Sequence, residues 1–260
     1  MKYFSKKIIF FVFFIAAFFG AVVYCFADSS PDAIATRVMP NLNHLSASRW
    51  YQAKGFSGSP QAITVDGYEA VRDGRTVYIN AANVDKVNHK FYTNIYIISY
   101  NQTAVNQTVD IFGQLLAHWK FNTNLSNDEK IDARDDTKRL ADLSFMNSAL
   151  DNYNVKHNNN FPALGAGSYK SGKSISTWPS WQAALGKELG VTLPVDPINE
   201  LGACPGYLDT KTCWNQTDKT FYFNFNTNNQ DQKSILKTSV YWYAYGVFHV
   251  NLRTNLTLEG

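Results

Sequence analysis

Apolar residues recur at three and four along Val109, Phe112, Leu116 and Trp119, a spacing that predicts an amphipathic helix over Val105 to Lys120 with one buried face. A second, longer helix is announced by chemistry as well as by period. Ser126 and Glu129 form a Ser-x-x-Glu capping box, and Asp128 and Asp132 place negative charge at the positive end of the helix dipole, so the helix starts near Asn127. Leu140, Leu143, Met146, Leu150 and Tyr153 then make one apolar stripe, with Asp135 and Arg139 at i, i+4 expected on the solvated face. Pro162 forces extended geometry on Phe161, so the helix ends within Asn158 to Asn160.

Other stretches follow a period of two. Ala62 to Val65, Thr76 to Asn80 and Tyr92 to Tyr100 read as strands separated by the turns Asp66-Gly67 and Asp73-Gly74-Arg75. Downstream, Trp181, Leu185 and Leu189 share the face of a short helix closed by Gly190, and two prolines fix the turns of Leu193 to Asn199. Thr220 to Asn226 and Ser239 to Val250 then read as strands, Phe221, Phe223 and Phe225 alternating with Tyr222 and Asn224. The sum is an α+β chain: a small α+β unit over residues 28–124, and over 125–260 a long helix packed on an antiparallel sheet.

The N-terminus is of another kind. Lys2, Lys6 and Lys7 precede 20 uncharged residues, Ile8 to Ala27, seven of them Phe. A helix of that length spans about 30 Å, enough for a bilayer core, so residues 1–27 are expected to be a signal peptide or a retained transmembrane anchor with the lysines inside. Cys25-Phe26-Ala27 is a tolerable cleavage site. The net charge of +3 equals those three lysines, so the rest of the chain is neutral. A neutral exported domain has no footprint for phosphate backbones, and nucleic acid is excluded as a partner on that ground. The expected place is the cell envelope or beyond it, membrane-anchored or secreted.

Export also bears on Cys204 and Cys213, which lie outside the leader with eight residues between them. In an oxidising compartment they are expected to close a short disulfide loop, with two free thiols as the plain alternative. Gly167 to Ser174 matches the P-loop pattern literally, but no buried strand precedes it and Pro179 interrupts the helix that should follow, so nucleotide binding is not expected. His44, His89, His118, His157 and His249 show no ligand spacing, no serine-hydrolase elbow is present, and the acid pairs Asp66 with Glu69 and Asp135 with Asp136 border a turn or a solvated helix face. Trp178, Trp181 and Trp214 are candidates for a sugar-stacking platform, weighed against the commoner fate of large aromatics in a core.

The second half of the chain also resembles the globular domain of type IV pilins and type II secretion pseudopilins, over roughly residues 130 to 250. The stretches that carry the likeness are Ala141-Asp142-Leu143, Ala149-Leu150, Tyr153, Phe161-Pro162 and Leu193-Pro194-Val195-Asp196-Pro197 with Asn199. The resemblance implies a long helix on an antiparallel sheet, and a loop where Asp196, Asn199 and Asp209 are candidate ligands of a structural calcium; an Asp capping its own turn is the simpler reading. The leader departs from the prepilin pattern in having no Glu in its apolar run, and about 100 residues separate it from the pilin-like helix, which favours a module carried on a surface protein over a filament subunit. The chain as a whole resembles exported proteins of candidate-phylum bacteria to which no activity attaches. A non-enzymatic surface protein serving adhesion, assembly or scaffolding is the expectation; an extracytoplasmic carbohydrate-binding module and a secreted hydrolase are the alternatives.

Overall fold

The structure, a computed structural model, describes residues 32–165, 169, 172–199, 208, 213–218, 220–221 and 244–245. The leader, Cys204, Asp209, His249 and most of the two late strands expected from the sequence lie outside the described residues.

Five antiparallel strands form the main sheet: β1 (Ile34–Pro40), β2 (Gln61–Val65), β3 (Tyr68–Asp73), β4 (Thr76–Asp85) and β5 (Lys90–Tyr100), in the order β1-β5-β4-β3-β2. Turn chemistry sets the register. Asp66 and Gly67 both adopt positive φ, the conformation a two-residue hairpin turn requires, and Val65 faces Tyr68 across it. Gly74, at φ 54, opens the equally short link by which Asp73 faces Thr76. β1 and β3 were not among the strands expected. β1 is mostly exposed and shows no alternation, its place being set by pairing with β5 some sixty residues on, from Ile34 opposite Tyr100 to Pro40 opposite Asn94.

Strand alternation sends side chains to two faces, and both are covered. Val77, Ile79 and Ile98 pack with Phe112 of α2 (Asn106–His118) and with Phe121. On the opposite face Val71 and Tyr78 pack with Ala47 and Tyr51 of α1 (Ala47–Ala53). The long helix α3 (Asn127–Lys156) begins with the expected capping box, Ser126 Oγ accepting from Glu129 N and Glu129 Oε2 accepting from Ser126 N. It ends at Lys156, short of the expected Asn158 to Asn160, because Asn158 and Asn159 turn into the left-handed region and Asn159 N donates to Asn154 O at 2.9 Å before Pro162 is reached.

The start of α3 joins the sheet's core through Leu125 and Ala133, so the boundary expected at 124/125 falls inside one hydrophobic cluster. Further along, Met146 packs with Leu164, Trp181, Leu185 and Leu193 in a second cluster. The short helix expected there is a π-helical turn, Trp181–Gly186, running into α4 (Lys187–Leu189) and closed by Gly190 in the left-handed region. Trp181, Leu185 and Gly186 are its buried residues, and Leu189, displaced by the wider turn, is only partly buried. Two small antiparallel pairs complete the described part, β6 (Ser174–Ile175) with β9 (Ala244–Tyr245), and β7 (Trp214–Asn215) with β8 (Thr220–Phe221). Ser174, the last residue of the P-loop-like pattern, thus enters a strand where nucleotide binding would need a helix. Among the described residues no helix is long and apolar enough to cross a membrane.

Candidate functional site

Arg139 is not on the solvated face of α3. It is 5% exposed, and its guanidinium joins two buried carboxylates. Asp136, one turn earlier, accepts from Nη1 at 2.8 Å; Asp196, from the Leu-Pro-Val-Asp-Pro turn, accepts from Nε at 2.7 Å and Nη2 at 3.2 Å. The spacing argument failed because α3 is covered on two sides, by the sheet and by the turn carrying Asp196. Burial disfavours the Arg139 cation, but the hydrogen bonds and charges of Asp196 and Asp136 outweigh it and hold the guanidinium above its ordinary value. Burial pushes the Asp136 carboxyl up, with Arg139 pulling the other way.

Asp196 also caps its own turn, Oδ1 accepting from Ile198 N at 2.9 Å and Asn199 N at 3.3 Å. Both its oxygens are therefore engaged, and a calcium ion there would compete with Arg139. Asn199, at φ 49, turns its Nδ2 toward Ser176 O at 3.5 Å, while its buried Oδ1 has no partner among the described residues. Among the described residues no group of three or more His, Cys, Asp or Glu side chains could hold a metal ion.

The three tryptophans do not form a platform. Trp178 and Trp181 are each 2% exposed, and Trp181 Nε1 donates to Pro194 O at 2.8 Å, so both rings are interior. Trp214 is half-buried, 5.2 Å from the Tyr169 ring, which stands edge-on to Trp178 at the same distance. Large apolar rings went to the core, where they remove the most surface from water. Cys213 is fully buried beside Trp214 in the chain.

The acid pairs weighed for hydrolysis are otherwise employed. Asp66 pairs with Lys120 at 2.8 Å and accepts from Phe121 N at 2.9 Å, tying the β2–β3 turn to the chain after α2. Asp136 belongs to Arg139. His118 and His157 each contact the carbonyl four residues back, as helix-end residues do, and His44, beside Thr93 Oγ1 at 2.8 Å, is pushed down by burial.

Sequence reasoning missed a groove of about 580 Å³ between the β2–β3 hairpin and α3. Ala62, Thr64, Glu69 and Asn80 form its sheet side, and Arg134, Asp135, Lys138 and Asp142 its helix side. Asn80 is buried, with its Oδ1 accepting from Asn41 Nδ2 at 3.0 Å. Gly67 lets Arg134 lie against the turn; a Cβ there would come within 2.9 Å of the Arg134 side chain. The one local signal of the groove was a short strand without charge, Gln61 to Val65, ending in a tight turn. No family model, curated protein or solved structure matches this chain.

Proposed function

We propose that the chain is a non-enzymatic surface or envelope protein, held at the membrane by its basic-then-apolar N-terminus. Its second half is a pilin-like module serving adhesion, assembly or scaffolding. The observation that carries this reading is the joint between α3 and the Leu193 to Pro197 turn. Arg139, two residues before the Ala141-Asp142-Leu143 stretch, forks on Asp196 of the Leu193 to Pro197 stretch, and so ties the helix that carries the first part of the likeness to the turn that carries the second. A helix pinned in this way at mid-length, and packed on either side of the pin through Ala133 and Met146, is a stiff element suited to carrying load between a membrane and a partner.

Cys213, fully buried, is read as one half of a disulfide, a bridge that would support external folding. Cys204, the other cysteine beyond the leader, is its proposed partner; a bridge closing so short a loop contributes about 2–3 kcal/mol. Sugar binding draws no support from Trp178 and Trp181, and hydrolysis none from Asp66 and Asp136, because each of these groups serves the interior or a turn.

The test is intact mass of the protein from its native envelope fraction, alkylated with and without prior reduction. A membrane-bound chain with its leader retained, and with Cys204 and Cys213, but not Cys25, protected until reduction, is expected. A chain found in the cytosol with both thiols freely alkylated would overturn the reading.

A further inference from the structure

The two outer strands of the main sheet are protected differently. β1 carries Arg37 and ends at Pro40, a charge and a residue without an N–H, both of which discourage pairing with another chain. β2 has neither. Its register decides which of its backbone groups are free. A two-residue turn with both residues at positive φ is flanked by a hydrogen-bonded pair, so Val65, Ile63 and Gln61 exchange bonds with β3. The N–H and C=O groups of Ala62 and Thr64 therefore point to the open edge. Beside that edge lies the groove under α3, on the face that Ala62 and Thr64 share with Glu69 and Val71. An extended chain laid along β2 would find backbone partners on one side and room for every second side chain on the other.

Charge selects the occupant. The groove is lined by three carboxylates and two cations; Arg134 pairs with Asp135 at 3.5 Å and Lys138 with Asp142. Glu69, which is exposed, has no cation within ion-pair distance among the described residues, and accepts only from Ser48, at 3.2 Å from Oγ and 3.5 Å from N. Thr64 lies directly opposite Glu69, so an added residue beside Thr64 stands two strand spacings, about 10 Å, from Glu69 on the same face. A long basic side chain closes that gap. A second copy of this chain pairing β2 with β2 would bring an uncharged strand and another Glu69, leaving both carboxylates unmatched.

We propose that β2 and the groove beside it form a docking site for an extended peptide that adds a sixth strand and extends a Lys or Arg toward Glu69. The site needs only the described fold, so it stands or falls apart from the envelope reading.

The test uses the purified full chain in mild detergent and two labelled peptides, Thr-Val-Thr-Lys-Thr-Val-Thr and the same sequence with Glu for Lys, followed by fluorescence anisotropy. The Lys peptide is expected to bind at least tenfold more tightly. Ala62→Pro removes an outward N–H at an edge position where proline leaves the β3 ladder intact. It is expected to weaken binding at least tenfold with an unchanged melting temperature, and Glu69→Gln to erase the preference between the peptides. Amide exchange at Ala62 and Thr64 should slow when the Lys peptide is bound. Absence of saturable binding, equal binding by Ala62→Pro, or a dimer that dissociates in Ala62→Pro would overturn the proposal, the last by giving the edge to a second copy.

Discussion

Replacing Arg139 with methionine keeps most of the side-chain volume and removes the cation from between two buried carboxylates. Asp136 and Asp196 are 4% and 3% exposed, so solvent screens little of what is lost. Removing one partner of a buried ion pair costs about 3–5 kcal/mol, because the remaining charge stays buried without its counter-ion. In a chain of this size each kcal/mol moves the melting temperature by about 2–4 °C, so a fall of roughly 6–20 °C at pH 7 is expected. The pH dependence sharpens the test. Burial already raises Asp136 above its ordinary value of 3.8, so the folded state binds more protons than the unfolded one in the window above that value, and stability falls as pH rises through it. Without Arg139 the rise is larger, and the gap between Arg139→Met and the parent should widen from pH 4 to pH 7. Adding Asp136→Leu to the variant removes one stranded charge and should recover part of the loss. Calorimetry at the two pH values reads both effects; a loss below about 1 kcal/mol at pH 7, or a gap that does not narrow in acid, would refute the account.

Other perturbations probe other parts. Trp181→Ala empties a buried site that also satisfies Pro194 O and should cost about 3–5 kcal/mol, whereas Trp214→Ala, at a half-buried ring, should cost less; urea midpoints showing the reverse order would place the wrong ring in the core. Gly67→Ala forces a side chain into the left-handed region and against Arg134, so a loss of at least about 1–2 kcal/mol is expected by thermal melting, and an unchanged midpoint would contradict the turn geometry. The hydrogen bond from Lys86, aided by Ser126, draws Glu129 down to about 2 from an ordinary value of 4.5. Its contribution to the start of α3 is therefore complete above 4.5 and disappears as pH falls through 2; NMR titration of its carboxyl should give that midpoint, and Lys86→Ala should move it upward.

The elements legible from the residues alone were those whose causes lie within a few positions of one another. The capping box at Ser126 and Glu129, the Asp66-Gly67 turn and the left-handed Gly190 are local steric or hydrogen-bonding facts, and each holds in whatever surroundings the chain finds. Of the stripe expected on α3, Leu140 and Met146 are buried, while Leu143, Leu150 and Tyr153 are only partly covered and Asp136, Thr137 and Arg139 go inside with them. What the tertiary structure decided was every feature whose cause lies far along the chain. Arg139 looked solvated because its own helix offers it Asp135 at i−4, yet Asp196 arrives 57 residues later and takes it into the interior. β1 carries no alternation of its own and became a strand because β5 supplied its hydrogen bonds. Trp178 and Trp181 had the chemistry of a ligand platform, but burying a large ring is favourable wherever a neighbouring face is apolar, and Met146 and Leu193 provided one. The groove beside β2 is the space left between a helix and a hairpin that lie some sixty residues apart in the chain, and the uncharged strand Gln61 to Val65 hints at one wall of it only.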